Sequence, residues 1–297
     1  MKVLLTGVTG FTGSHVLPKL LAKVERVRCF VRAPEKATAL YCKGIEVAIG
    51  DLGDAEALAA ACRGCDTLIN VASIGFGHGP GVVRVAEKAG VKRAIFVSTT
   101  AIFTQLNARS KTVRIAAEEA IRASSLDWTI LRPTMIYGTY RDRNICRLIH
   151  YVRRFPLLPV FGSGEFWLQP IYVDDLAAAI VSAVGSSVPV KKEYNLAGRS
   201  PLSYNELVVT VARLMGRRIR FLHLPYIPVV RILGLLEKWR LRLPVKSEQI
   251  LRLNEHKAFP WNDAARDFDY SPRSFASGVE AEIRSLGIPI IVGGSKS

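Results

Sequence analysis

Seven residues near the start of the chain constrain its fold more than any others. Gly7-Val8-Thr9-Gly10-Phe11-Thr12-Gly13 follows a short apolar run, Val3 to Thr6, and leads into a helical pattern from Thr12 to Ala22. A strand, a glycine-rich turn and a helix in that order place unpaired N–H groups at a helix N-terminus, where a phosphate can sit. The glycines permit the tight turn and let the backbone come close to a pyrophosphate. The spacing is G-x-x-G-x-x-G rather than G-x-G-x-x-G.

The remainder of the first half alternates in the same way. Arg26 to Val31, Ile45 to Ile49, Asp66 to Val71, Arg93 to Ser98 and Trp128 to Arg132 read as strands. Helical patterns separate them: one opened by Pro34, then Asp54 to Cys62, Gly81 to Ala89 and Lys111 to Ala123. This alternation predicts βαβ units and an α/β, Rossmann-type doubly wound parallel sheet covered on both faces. After Pro133 it loosens. Residues 1–138 are expected to be the dinucleotide-binding core, and 139–297 a small, mixed C-terminal substrate portion interleaved with it. Leu168 to Tyr172 reads as a strand and Asp174 opens a helix, so Leu168 to Val184 is expected to return to the core. Ser203-Tyr204-Asn205-Glu206 is a capping box that starts a helix running to about Met215.

Several segments together resemble the short-chain dehydrogenase/reductase superfamily, in particular its extended and atypical members, the epimerase/dehydratase and NmrA-like proteins. They are Gly7 to Gly13, Gly50-Asp51-Leu52, Asn70-Val71-Ala72-Ser73, Val97-Ser98-Thr99-Thr100, Leu131 to Gly138 and Pro170 to Asp175. The resemblance spans about residues 1–285. It implies cofactor contacts from Gly7, Thr9, Gly10, Phe11, Thr12 and Gly13 to the pyrophosphate, and from Asp51 and Leu52 to the adenine. It further implies that Val71, Ala72 and Ser73 lie under the adenosine, and that Ser98, Arg114, Pro133, Met135 and Ile136 lie near the nicotinamide and its ribose.

The second strand speaks to the choice of cofactor. An acid at its end would bond the ribose hydroxyls of NAD, whereas an arginine accommodates a 2′-phosphate. The strand ends Cys29-Phe30-Val31-Arg32, with no acid, so Arg32 favours NADP, with NAD as the alternative.

The family's proton-transfer pair is missing. Counting back from Leu131-Arg132-Pro133 places Ser110 where a catalytic tyrosine is expected and Arg114 where its lysine is expected. No tyrosine lies between Tyr41 and Tyr137. Thr100 (or its neighbour Thr99) and Tyr137 are the substitute catalytic candidates, although Tyr137 also suits a packing role. Lys111 reads as a helix-start surface residue and His78 as a loop residue at the ligand-binding edge.

The chain has 41 Lys and Arg against 25 Asp and Glu, a formal net charge of +16. Such a surface attracts anions of any kind. Arg141, Arg143, Arg147, Arg153 and Arg154 form one cluster, and Arg213, Arg217, Arg218 and Arg220 another. These suit a diphosphate-bearing substrate, and no nucleic-acid-binding motif accompanies them. Pro228 to Trp239 reads as an amphipathic helix, expected first as a cover for the substrate pocket and second as a contact with an anionic membrane. The basic residues Arg231, Lys238, Arg240 and Arg242 lie within or beside it. Five cysteines, an odd number, suggest a reducing compartment, and Cys62-Arg63-Gly64-Cys65 lacks the second pair a zinc site needs. No metal is expected. With no apolar run long enough to span a bilayer and no signal-peptide pattern, a cytoplasmic location is expected, with peripheral attachment as the alternative.

The reading is therefore an NADP-dependent reductase or epimerase-like enzyme with a degenerate Tyr-Lys pair. Its substrate is a small molecule, nucleotide-sugar or lipid-linked. The alternative is a non-catalytic NADP(H)-binding sensor or assembly subunit, as the superfamily includes. The oligomeric state is left open.

Overall fold

Val3, Leu4 and Leu5 are fully buried because their strand, β1 (Lys2–Thr6), sits inside a sheet covered on both faces. A computed structural model describes residues 1–41, 45–106, 108–186, 188–239 and 246–290. Cys42, Arg240 and Arg242 lie outside the described residues. The chain continues through α1 (Phe11–Leu21), β2 (Arg26–Val31), α2 (Pro34–Tyr41), β3 (Glu46–Ile49), α3 (Ala55–Cys62), β4 (Thr67–Asn70), α4 (Gly79–Lys88), β5 (Arg93–Val97), α5 (Arg109–Arg122) and β6 (Asp127–Pro133). The second half contains β7 (Ile136–Tyr137), α6 (Ile145–Arg154), β8 (Leu157–Phe161), β9 (Trp167–Leu168), β10 (Ile171–Tyr172), α7 (Val173–Gly185) and β11 (Lys192–Leu196). It ends with β12 (Leu202–Ser203), α8 (Tyr204–Leu214), β13 (Arg220–Leu224), α9 (Tyr226–Lys238), α10 (Ser247–Leu253), α11 (Asn262–Phe268) and α12 (Phe275–Ser285).

The central sheet has seven parallel strands in the order β11-β6-β5-β4-β1-β2-β3. Strand order reverses between β1 and β4, which is where open α/β sheets bind ligands at their carboxyl edge. One face is covered by α1 and α7 through Val16, Leu20, Leu176 and Ile180. The other is covered by α3, α4 and α5 through Leu58, Val82, Val83 and Ile121. A third core, of Ile149, Leu207, Val211, Val279 and Ile283, joins α6, α8 and α12 in the second half.

The second half rejoins the sheet twice. The helix α7 packs on α1, and β11 supplies the edge strand beside β6. The expected single strand from Leu168 to Tyr172 is instead two short ones, because each end has a different partner. Leu168 pairs antiparallel with Leu202 of β12, whereas Ile171 pairs parallel with Ile136 of β7. Between them the Gln169 side chain donates to the Gly198 carbonyl at 2.7 Å and accepts from the Phe259 N–H at 2.9 Å.

A buried ionic network locks α5 to the sheet. The Ser98 hydroxyl donates to Glu118 Oε1 at 2.6 Å, and Arg132 donates to both Glu118 oxygens and to Glu193 on β11. Arg122 bonds the same two carboxylates. A carboxylate this deeply buried would be costly alone, and here it has partners on both oxygens.

Candidate functional site

The three loop glycines do three different things. Gly7 has a φ of +71°, and a Cβ there would lie 2.6 Å from the Ala72 backbone nitrogen, so the loop after β4 rests directly against the loop after β1. A Cβ on Gly13 would lie 2.1 Å from the Gly7 carbonyl oxygen, so Gly13 lets α1 lean onto its own loop. A Cβ on Gly10 would meet only that same oxygen, at 3.1 Å, and otherwise project into the open space before α1. Gly10 is the N-cap of α1 and offers no side-chain oxygen, and the first turn carries no acid. The N–H groups of that turn and the positive end of the helix are thus left for an outside anion. A dinucleotide pyrophosphate fits this loop, with Thr9, Phe11 and Thr12 half-buried around it.

Arg141, beyond β7, reaches back to this loop. Its guanidinium donates to the Thr9 carbonyl at 2.8 Å and to the Ser14 hydroxyl at 3.2 Å. It therefore places a positive charge at the mouth of the phosphate site. The sequence marks it only as one of a basic cluster.

The adenosine side is assembled from neighbouring strand ends. Asn70, buried, accepts from the Thr6 hydroxyl and donates to the Ala72 carbonyl, which fixes the turn through Val71 and Ala72. Ser73 caps the next turn by accepting from the Gly75 N–H. Asp51 accepts from the Gly53 N–H at 2.8 Å through one oxygen, and Leu52 beside it packs on the core. Arg32 is exposed at the end of β2, beside the Gly50 N–H that bonds Val31, and forms no ion pair among the described residues.

A cleft of about 790 Å³ opens beyond β5 and β6. Thr99, Thr100, Thr134 and Met135 line its sheet side, with Arg143 just before α6 and Arg147 within it on one wall and Arg252, Glu255 and Lys257 on another. The Thr100 hydroxyl donates to the Pro133 carbonyl at 3.4 Å, and Thr99 caps the following turn. Glu255 is already engaged, accepting from the Thr104 hydroxyl and the Gln105 N–H. Burial pulls the Lys257 ammonium below its usual range, and Arg252 adds to this. The cations of this cleft thus outnumber its carboxylates.

Arg114 is half-buried, with its guanidinium against Gly75; a Cβ there would lie 3.0 Å from it. Burial, and then the charge of Arg252, pull it below the usual arginine range. Ser110 offers only its carbonyl to Arg114, at 3.3 Å, and does not line the cleft. Lys111 donates to the Thr104 carbonyl and so holds the start of α5 in place.

Three expectations are corrected here. Tyr137 does not reach the cleft: it is 1% exposed, packs against Tyr172 and Phe275, and gives its hydroxyl to the Phe275 carbonyl at 3.3 Å. A Cβ on Gly278 would strike that hydroxyl at 2.0 Å, so α12 closes over it, and burial pushes the phenol well above its ordinary value. Ser98 cannot turn its hydroxyl to a cofactor because Glu118 holds it. The helix read as a pocket cover, α9, contributes none of the described residues that line the cleft, and α10 and the segment after it do so instead. The role of Asn254 to Lys257 was missed because nothing local in that polar run signals its return to the loop after β5. Pro133 and Ile136 flank the cleft-lining Thr134 and Met135 in sequence. His78 stands before α4, across from Gly53.

A family model described as NAD(P)H-binding matches residues 7–148. The chain is 29% identical to a ceramide reductase of Caulobacter vibrioides over 80% of this chain and 78% of that protein. It is 26% identical to NADH dehydrogenase [ubiquinone] 1 alpha subcomplex subunit 9, mitochondrial, of Arabidopsis thaliana, over 88% of this chain and 70% of that protein. Its fold is similar to that of Citrobacter sp. triphenylmethane reductase complexed with NADP(H), with a TM-score of 0.76 at 20% identity, over 94% and 99% of the two chains.

Proposed function

We propose that this chain, whose residues 7–148 match a family model described as NAD(P)H-binding, is an NADPH-dependent reductase of anionic carbonyl substrates. One observation carries the substrate class: Arg143 and Arg147 face the cleft with no ion pair among the described residues, whereas Arg252 is paired with Glu248, Lys257 donates to the Arg252 carbonyl, and Glu255 is bonded to Thr104 and Gln105. A phosphate, diphosphate or carboxylate on the substrate would neutralise Arg143 and Arg147. A nucleotide-sugar diphosphate, as an epimerase-like enzyme would bind, has the same requirement.

The loop from Gly7 to Gly13 with Arg141 would hold the pyrophosphate, Asp51 and Val71 to Ser73 the adenosine, Arg32 the 2′-phosphate, and Arg114 the second ribose. Bound there, the cofactor supplies a hydride. The cations orient the substrate by its anionic group, and the Thr100 hydroxyl would have to turn from its long 3.4 Å bond to the Pro133 carbonyl to donate to the substrate's carbonyl oxygen. No tyrosine lines the cleft among the described residues, so no phenol assists. General acid–base groups typically contribute about 10²–10⁴-fold, so turnover is expected to be slow.

That same absence favours the second reading, a protein that binds NADPH without using it. NADPH oxidation under single-turnover conditions separates the two, with carbonyl compounds tested in pairs with and without a phosphate. The reductase reading expects the phosphorylated members to be preferred, and the preference to collapse in Arg143→Ala with Arg147→Ala. Tight NADPH binding with no oxidation by any carbonyl compound would replace it with the non-catalytic reading.

A further inference from the structure

We propose that α9 is a docking helix that lies in the surface of an anionic lipid bilayer. Its sequence, Tyr-Ile-Pro-Val-Val-Arg-Ile-Leu-Gly-Leu-Leu-Glu-Lys, is apolar on almost every side. Val229, Leu233 and Leu236 are half-buried, yet the opposite side is bare. Ile227, Ile232 and Leu235 are exposed there, Leu235 at 61%, and Trp239 just after the helix at 78%. Ile232, Leu235 and Trp239 follow one another three and four apart and form one face, with Ile227 about a turn before Ile232 and Arg231 about a turn before Leu235. A helix that is apolar all round needs cover all round. The described residues cover α9 on one side only, and none of the described residues of the helix lines the cleft.

The surroundings specify what covers the other side. The strand leading into α9 pairs with β8, and Leu157 and Leu222 are exposed on that small two-stranded sheet. Arg217, Arg218 and Arg220 immediately precede this strand or begin it, and Arg153 and Arg154 end α6. None of these five, nor Arg231, forms a salt bridge among the described residues. An apolar ridge rimmed by unpaired arginines matches the acyl boundary and negative headgroups of an anionic bilayer. No helix among the described residues is long and apolar enough to cross a membrane, so α9 lies along the surface. Trp239 at its end suits the headgroup level.

The test is flotation of the full chain with vesicles of phosphatidylcholine alone and of equal phosphatidylcholine and phosphatidylglycerol. Binding is expected to the anionic vesicles and to fall steeply as salt shortens the Debye length below about 8 Å. Ile232→Glu and Leu235→Glu should each weaken it about tenfold or more, the scale of losing one buried leucine-sized side chain, while NADPH affinity stays unchanged. Brominated acyl chains should quench tryptophan emission in the parent and not in Trp239→Phe. No flotation at low salt would overturn the proposal, as would undiminished flotation of the glutamate variants. So would a parent that dimerises where Leu235→Glu is monomeric, since the face would then join two copies of the chain.

Discussion

Arg141 holds the carbonyl of Thr9 at 2.8 Å, so a residue from the start of the second half braces the loop that opens the first. Arg141→Ala removes both this brace and a positive charge at the phosphate site. NADPH binding is expected to weaken about tenfold, the scale of one charge-assisted hydrogen bond. Arg141→Lys should recover little, because a single ammonium does not reproduce the planar fork that spans Thr9 and Ser14. Calorimetric titration of the two variants checks this, and parent-like affinity in Arg141→Ala would remove Arg141 from the site.

Gly10 and Gly13 are expected to respond in opposite ways to substitution. Gly13→Ala sets a methyl 2.1 Å from the Gly7 carbonyl and should lower the melting temperature sharply. Gly10→Val directs its branches into the space before α1, so the variant should fold and lose NADPH. Melting curves and titrations on both proteins separate a structural glycine from a binding one. A folded Gly10→Val with full affinity would refute the assignment of this loop to the pyrophosphate.

Arg32→Ala should weaken NADPH by about 1–3 kcal/mol, the range for a hydrogen bond to a charged group, and leave NADH nearly unchanged. Equal losses for the two cofactors would mean that Arg32 does not contact the 2′-phosphate.

Glu282 of α12 is fully buried, and neither carboxyl oxygen accepts a hydrogen bond from a donor among the described residues. Burial, with the Asp142 carboxylate nearby, pushes it from 4.5 up to about 10. The folded chain therefore keeps a proton that the unfolded chain releases. Between those two values stability falls as pH rises, by on the order of 3 kcal/mol at neutral pH. Glu282→Gln removes the titration while keeping the shape. The variant should be the more stable, with its advantage in melting temperature growing from about pH 5 to about pH 9. A pH-independent difference would mean that Glu282 does not carry the proton.

The first half of the fold was readable because β1, β4 and β5 are almost wholly buried apolar runs and α3 carries its own cap in Asp54. The edge strand β11, Lys-Glu-Tyr-Asn-Leu, escaped notice because its charges serve the sheet's ionic network instead of marking a surface loop. The split at Gln169-Pro170 depends on two partners, Leu202 and Ile136, that lie far away in sequence. Tyr137 was legible as either a donor or a packing residue, and α12 settled which by closing over it. The glycine loop could be read locally. The cleft could not, because its second wall, Arg252 to Lys257, approaches the loop after β5 only through long-range contacts such as Thr104 with Glu255.

The position of β11 also bears on synthesis. It pairs with β6 residue by residue, Lys192 beside Thr129 through Leu196 beside Pro133, yet leaves the ribosome about 60 residues later. At about 5–20 residues per second, the β6 edge waits about 3–12 s for its neighbour. A bare parallel edge is a template for pairing with another chain. The nascent protein is thus most open to mispairing after its first six strands have emerged, and slower translation of the stretch between β6 and β11 should lower its soluble yield.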